Sequence, residues 1–78
     1  MAKWIDFQQA PSMGKTEIWN VISKEGAHHL GTIKWYGPWR QYSFFPNGGT
    51  VFERTCLTDI VAKINELMLK RKAQAMVL

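Results

Sequence analysis

Residues 35–46 read Trp-Tyr-Gly-Pro-Trp-Arg-Gln-Tyr-Ser-Phe-Phe-Pro and carry six of the chain's ten aromatic side chains. Proline has no amide hydrogen for a strand ladder, so Gly37-Pro38 stops a strand and reverses the chain. The run therefore predicts an aromatic hairpin. Its first arm is Leu30 through Tyr36, with Ile33 and Trp35 on one face and Thr32, Lys34 and Tyr36 on the other. Its second arm is Trp39 through Phe45. Arg40, Tyr42 and Phe44 share one face there, opposite Trp39, Gln41, Ser43 and Phe45. Upstream, Thr16–Ser23 reads as a strand rich in β-branched residues with Trp19 at its centre. Trp19 and Val21 lie on one face and Ile18 and Ile22 on the other, and alternation does not say which is buried. Lys24–Ala27 is a polar turn in which Gly26 can take a positive backbone angle. Gly31 marks a bulge or a close packing contact.

Downstream, Pro46-Asn47-Gly48-Gly49 is the strongest turn signal. Thr50-Val51-Phe52 reads either as a short fourth strand or as an ordered loop. Leu57, Ile60, Val61, Ile64, Leu67 and Met68 then recur at helical spacing. Thr55 is the expected N-cap, Asp59 favours the helix dipole, and Lys70-Arg71-Lys72 forms a charged last turn. Ile64 is expected near the centre of the core. The fold class is α+β: a three-stranded antiparallel sheet with a C-terminal helix on one face. Residues 16–72 form the β-β-β-α domain. Residues 1–15 are a flexible or loosely docked arm, and residues 73–78 a short tail.

Seventy-eight residues make one domain with a small core, so each large aromatic matters. Cys56 has no second cysteine with which to form an internal disulfide. No apolar run reaches the roughly 18–20 residues that span a membrane, and the first residues lack the apolar centre of a signal peptide. A cytoplasmic protein is expected. The net charge of +4 is uneven: five of the ten basic residues, Arg54, Lys63, Lys70, Arg71 and Lys72, lie after residue 53. Arg54, Lys70, Arg71 and Lys72 form a secondary basic patch that could serve nucleic acid, or simply complement the helix dipole.

The residues that could carry chemistry are few. His28-His29 would point to opposite faces of a strand, and no third metal ligand accompanies them. Cys56 has no neighbouring histidine, and it adjoins the core-forming Leu57. Glu53, Asp59 and Glu66 form no general acid–base pair, and no phosphate-binding loop or cofactor motif is present. The sequence reads as non-enzymatic. With Ile33 and Trp35 facing the helix, Lys34 and Tyr36 are displayed on an open sheet face, and a hairpin register with Arg40 and Tyr42 beside them completes a candidate surface. Arginine and tyrosine suit a protein interface. The same residues could also contact phosphate and stack on bases.

The stretch Leu30–Pro46, with its Lys-Trp-Tyr-Gly-Pro-Trp-Arg-Gln-Tyr run, and the segment Cys56-Leu57-Thr58-Asp59-Ile60 resemble a group of small uncharacterised proteins of bacteria and their phages. The resemblance covers roughly residues 16–67 and brings no activity with it. It places the protein in a bacterial cytoplasm, that of the host if a phage encodes it. It also implies a bacterial protein as partner. Three functions remain open: a protein-interaction module that modulates a host complex, a sheet-mediated nucleic-acid-binding protein contacting phosphate through Lys34 and Arg40, and a structural domain without a ligand. Monomer and small homo-oligomer are equally compatible with the sequence.

Overall fold

A computed structural model describes residues 4–12 and 14–76. Four strands and one long helix follow in order: β1 (Ile5–Ala10), β2 (Ile18–Ser23), β3 (His29–Tyr36), β4 (Gln41–Pro46) and α1 (Arg54–Met76). The strands form one antiparallel sheet whose spatial order is the chain order. The α+β architecture with a helix on one sheet face is as expected, but the sheet has four strands, not three.

The extra strand is β1. It lies within the expected arm and pairs with β2 from Ile5↔Ser23 to Ala10↔Ile18. Residues 50–52, read as either a short fourth strand or an ordered loop, have no regular structure. Phe52 instead packs edge-on against Phe44, with ring centroids 5.2 Å apart. The helix continues to Met76, into the segment expected as tail. Residues 1–3 and 13 of the arm and 77–78 of the tail lie outside the described residues.

The helix chooses one face of the sheet. Ile5, Val21, Ile33 and Tyr42 are buried beneath it together with Cys56, Ile60 and Leu67. Phe7, Trp19, Leu30, Trp35, Phe44, Phe52, Ile64 and Met68 pack around them. Val21 and Trp19 thus resolve the ambiguity in β2. On the helix the buried stripe is rotated from the expected one. Cys56, Ile60 and Leu67 point inward, whereas Leu57 and Val61 are 47% and 55% exposed. Ile64 is only half-buried, so the core centre lies at Ile60 and Leu67.

Two glutamates tie the helix down. The Glu53 carboxylate accepts the Cys56 N–H at 2.7 Å, and the Glu53 carbonyl accepts the first helical bond from Leu57. Glu53, not Thr55, is therefore the cap. The bond from the Cys56 backbone holds the Glu53 carboxyl below its usual range. At the far end, Glu17 accepts the Trp19 indole N–H at 3.0 Å and pairs with Lys70 at 3.1 Å. Burial pushes the Glu17 carboxyl up, but Trp19 and Lys70 outweigh it and the net shift is downward. Carboxyls depressed by folding add stability above their unfolded pKa, and that stability is lost as pH falls through the folded value. Replacing Glu17 and Glu53 together by glutamine should lower the urea midpoint near neutrality. It should also flatten the decline from about pH 5 to about pH 3. Midpoints measured across that range check both effects.

Candidate functional site

The hairpin register decides what the uncovered sheet face displays. β3 pairs with β4 as Tyr36↔Gln41, Lys34↔Ser43 and Thr32↔Phe45. Side chains alternate between faces, so Lys34, Tyr36, Gln41, Ser43 and Phe45 stand together away from the helix. Trp35 pairs with Tyr42 on the opposite face.

This register corrects the expected surface at Tyr42. That side chain is 4% exposed, meets Trp35 edge-on at 5.5 Å, and accepts the Glu17 backbone N–H through its hydroxyl at 3.0 Å. It is a core residue. Arg40 lies in neither strand. Residues Gly37–Trp39 form a 3-10 turn, and Arg40 follows it with φ 51°, donating its N–H to Gly37 O. The four-residue connection shifts the pairing, so odd-numbered residues of β4 join even-numbered residues of β3.

What gathers at this end of the open face is an aromatic cluster. Tyr36 meets Trp39 edge-on at 4.9 Å and Phe45 at 5.8 Å. The Lys34 ammonium sits 4.7 Å from the Phe45 ring centroid. Lys34 and Arg40 are exposed, and Trp39 is 67% exposed. Half-buried Ile18, Asn20, Ile22 and Thr32 continue the face across β2 and β3. Sequence reasoning missed Trp39 and Phe45. Fixing Tyr36↔Gln41 across a four-residue turn would have found Phe45, because it then falls on the Lys34 side.

The basic patch is dispersed. Lys70 is bound to Glu17, and the Arg71 guanidinium lies 4.1 Å over the Trp35 ring on the helix side of the sheet. Lys72 is exposed there, while exposed Arg54 begins the helix, about 24 Å from Lys70 at the helical rise per residue. Lys70 and Arg71 are thus engaged on the face opposite Lys34.

The remaining candidates are structurally placed. Burial pushes the Cys56 thiol pKa up, and the Glu53 carboxylate adds to this, which disfavours a thiolate nucleophile. His29 opens β3 and lies 3.3 Å from the Thr32 hydroxyl. Among the described residues no group of three or more histidine, cysteine or acidic side chains could hold a metal ion, and no helix is long and apolar enough to cross a membrane.

Comparison with known proteins places the chain. It is 43% identical over 58 residues to an uncharacterized 9.3 kDa protein of Acholeplasma phage L2, and the match spans 74% of each chain. The chain belongs to this family of small phage proteins. No family model matches it, and no solved structure matches it. Phage-family membership thus rests on the sequence match, and the uncovered sheet face is described by the structure of this chain.

Proposed function

We propose that this phage-family protein is a non-enzymatic binding module that presents the β3–β4 end of its open sheet face to a protein of the bacterial host. The observation that carries the reading is the exposed Trp39, held edge-on by Tyr36 and flanked by Lys34 and Arg40. Aromatic and arginine side chains on a rigid base combine large contact area with directional polar bonds, and they dominate binding hot spots. The complementary partner surface is apolar with an acidic rim.

Arg40 supports the reading independently. Its φ of 51° is one that glycine adopts freely and other residues adopt at a cost. Among the described residues no hydrogen bond or ion pair engages its guanidinium, which is therefore placed to make a contact outside the chain. Ala27 shares the conformation at φ 53° in the turn after β2 and serves as a control. Arg40→Gly and Ala27→Gly should each raise stability by up to about 1 kcal/mol. Only Arg40→Gly, and more strongly Arg40→Gly with Trp39→Ala, should weaken partner binding. Partners captured by cross-linking in host cells would be purified and titrated with each variant by calorimetry. Equal affinity for the native and doubly substituted proteins would remove this surface from consideration.

Nucleic acid is the second reading, favoured by the Lys34–Phe45 pair, since cations and stacking rings are what single strands require. It is weakened by the commitment of Lys70 and Arg71 to the other face. Anisotropy with single-stranded DNA, RNA and duplex across a salt series separates the two. Affinity that falls steeply with salt and depends on Lys34 would favour this reading.

A further inference from the structure

The two flanks of α1 carry different chemistry. Above β2 the lysines are paired, Lys63 with Glu66 and Lys70 with Glu17. At 3.6 residues per turn the other flank gathers Arg54, Leu57, Val61, Met68, Leu69 and Lys72 within about a third of the circumference. Asp59 and Glu66, the acidic residues of the helix, fall outside that arc. Leu57, Val61 and Leu69 are exposed there, and so are Arg54 and Lys72. Among the described residues no ion pair engages either of the two basic side chains.

Two shallow apolar hollows open on this flank. One is lined by Arg54, Leu57, Thr58 and Val61, the other by Trp35, Met68, Leu69, Arg71 and Lys72. Leu57 and Leu69 set them about 18 Å apart at the helical rise per residue. Residues i and i+11 of a second helix lie on one face, about 17 Å apart, so a helix packed along α1 seats an apolar side chain in each hollow. Basic groups stand at both outer ends, and the flank between them is uncharged. That pattern selects the occupant. A second copy laid antiparallel with Leu57 against Leu69 sets Arg54 against Lys72, and a parallel copy sets each cation against itself. Either way like charges meet with no acid on the flank to offset them. A carboxylate at each end of an incoming apolar stripe complements both cations.

We propose that this flank of α1 docks an amphipathic α-helix of another protein, one with an apolar stripe of about three turns and acidic residues at both ends of it. The surface lies across the sheet from Lys34, Tyr36 and Phe45, so it is independent of the aromatic surface on the open face.

Titration of the isotope-labelled full chain, read by its amide and indole resonances, tests this with two synthetic helical peptides of about 18 residues. Both carry leucine at i, i+4, i+7 and i+11; one has glutamate and the other lysine at the two ends of that stripe. The glutamate peptide is expected to shift the amides of Leu57, Val61 and Leu69 and the Trp35 indole, with a dissociation constant below about 1 mM. The lysine peptide is expected to leave them in place. Val61→Glu, and separately Arg54→Glu combined with Lys72→Glu, should each weaken binding by about tenfold or more. Trp39→Ala should leave it unchanged, which separates this surface from the aromatic one. Circular dichroism confirms that the variants are folded, and the Arg54→Glu, Lys72→Glu pair carries the test should Val61→Glu fail to fold. No shift on this flank up to about 1 mM glutamate peptide overturns the proposal. So does equal binding of the two peptides. A dimer formed without peptide and dissolved by Val61→Glu also overturns it, since a second copy would then be the occupant.

Discussion

Gly31→Ala is expected to destabilise the protein by about 2–3 kcal/mol, which lowers the melting temperature of so small a domain by roughly 10–20 °C. The cause is local. A Cβ at residue 31 would lie 2.7 Å from two atoms of the Phe44 ring and 2.7 Å from the Phe45 carbonyl oxygen. The ring could swing aside only by opening its edge-on contact with Phe52. The carbonyl belongs to the β3–β4 ladder, where Phe45 pairs with Thr32, so it cannot withdraw without weakening the hairpin. Gly37→Ala and Gly48→Ala are the controls, since nothing lies within 4 Å of a Cβ at either position. Thermal melts of the three variants check the expectation. A Gly31→Ala protein that melts with its controls would mean that the β3–β4 register is wrong.

Leu67→Ala should cost about 2–4 kcal/mol, through lost burial and the cavity left behind. Leu67 is 2% exposed and sits in the core with Ile60 and Tyr42. The informative comparison is Val61→Ala on the same helix. Val61 belongs to the stripe that periodicity selects, yet at 55% exposure its truncation should change stability by less than about 0.5 kcal/mol. Denaturant unfolding of both variants reads out which face of α1 meets the sheet. Equal costs would return the helix to the orientation that periodicity alone suggests.

Apolar spacing fixes that a helix forms but not which of its faces is buried. The presence of α1 is legible because six apolar residues recur at helical spacing. Its rotation is not, because Lys63 fills a place that an apolar residue would be expected to fill. The Lys63 ammonium lies 3.5 Å from the Trp19 ring centroid and pairs with Glu66 at 2.8 Å. Its methylene stem and charge cover the β2 side of the sheet, so the contact stripe shifts toward a polar residue. β3 and the Gly37-Pro38 stop are legible for a plain reason: proline leaves the ladder no donor. The hairpin register is less so, because both faces of β4 are aromatic, and hydrophobicity could not separate Tyr42 in the core from Phe45 outside it. β1 was obscured by Asp6, Gln8 and Gln9, polar residues that an edge strand tolerates. In the candidate surface Lys34, Tyr36 and Arg40 were readable from strand parity and the turn. Trp39 emerges only once the 3-10 turn places it against Tyr36.

Because the sheet order is the chain order, each strand meets its neighbour across a short connection, and little loop-closure entropy separates the unfolded chain from a paired sheet. The helix that covers Val21, Ile33 and Tyr42 follows all four strands in the chain. Until it docks, a paired sheet shows that apolar face to water, and a chain in this state is open to chaperones and to other unfolded copies. Each stop codon between residues 53 and 67 should yield a product that is aggregated or degraded rather than a smaller working domain.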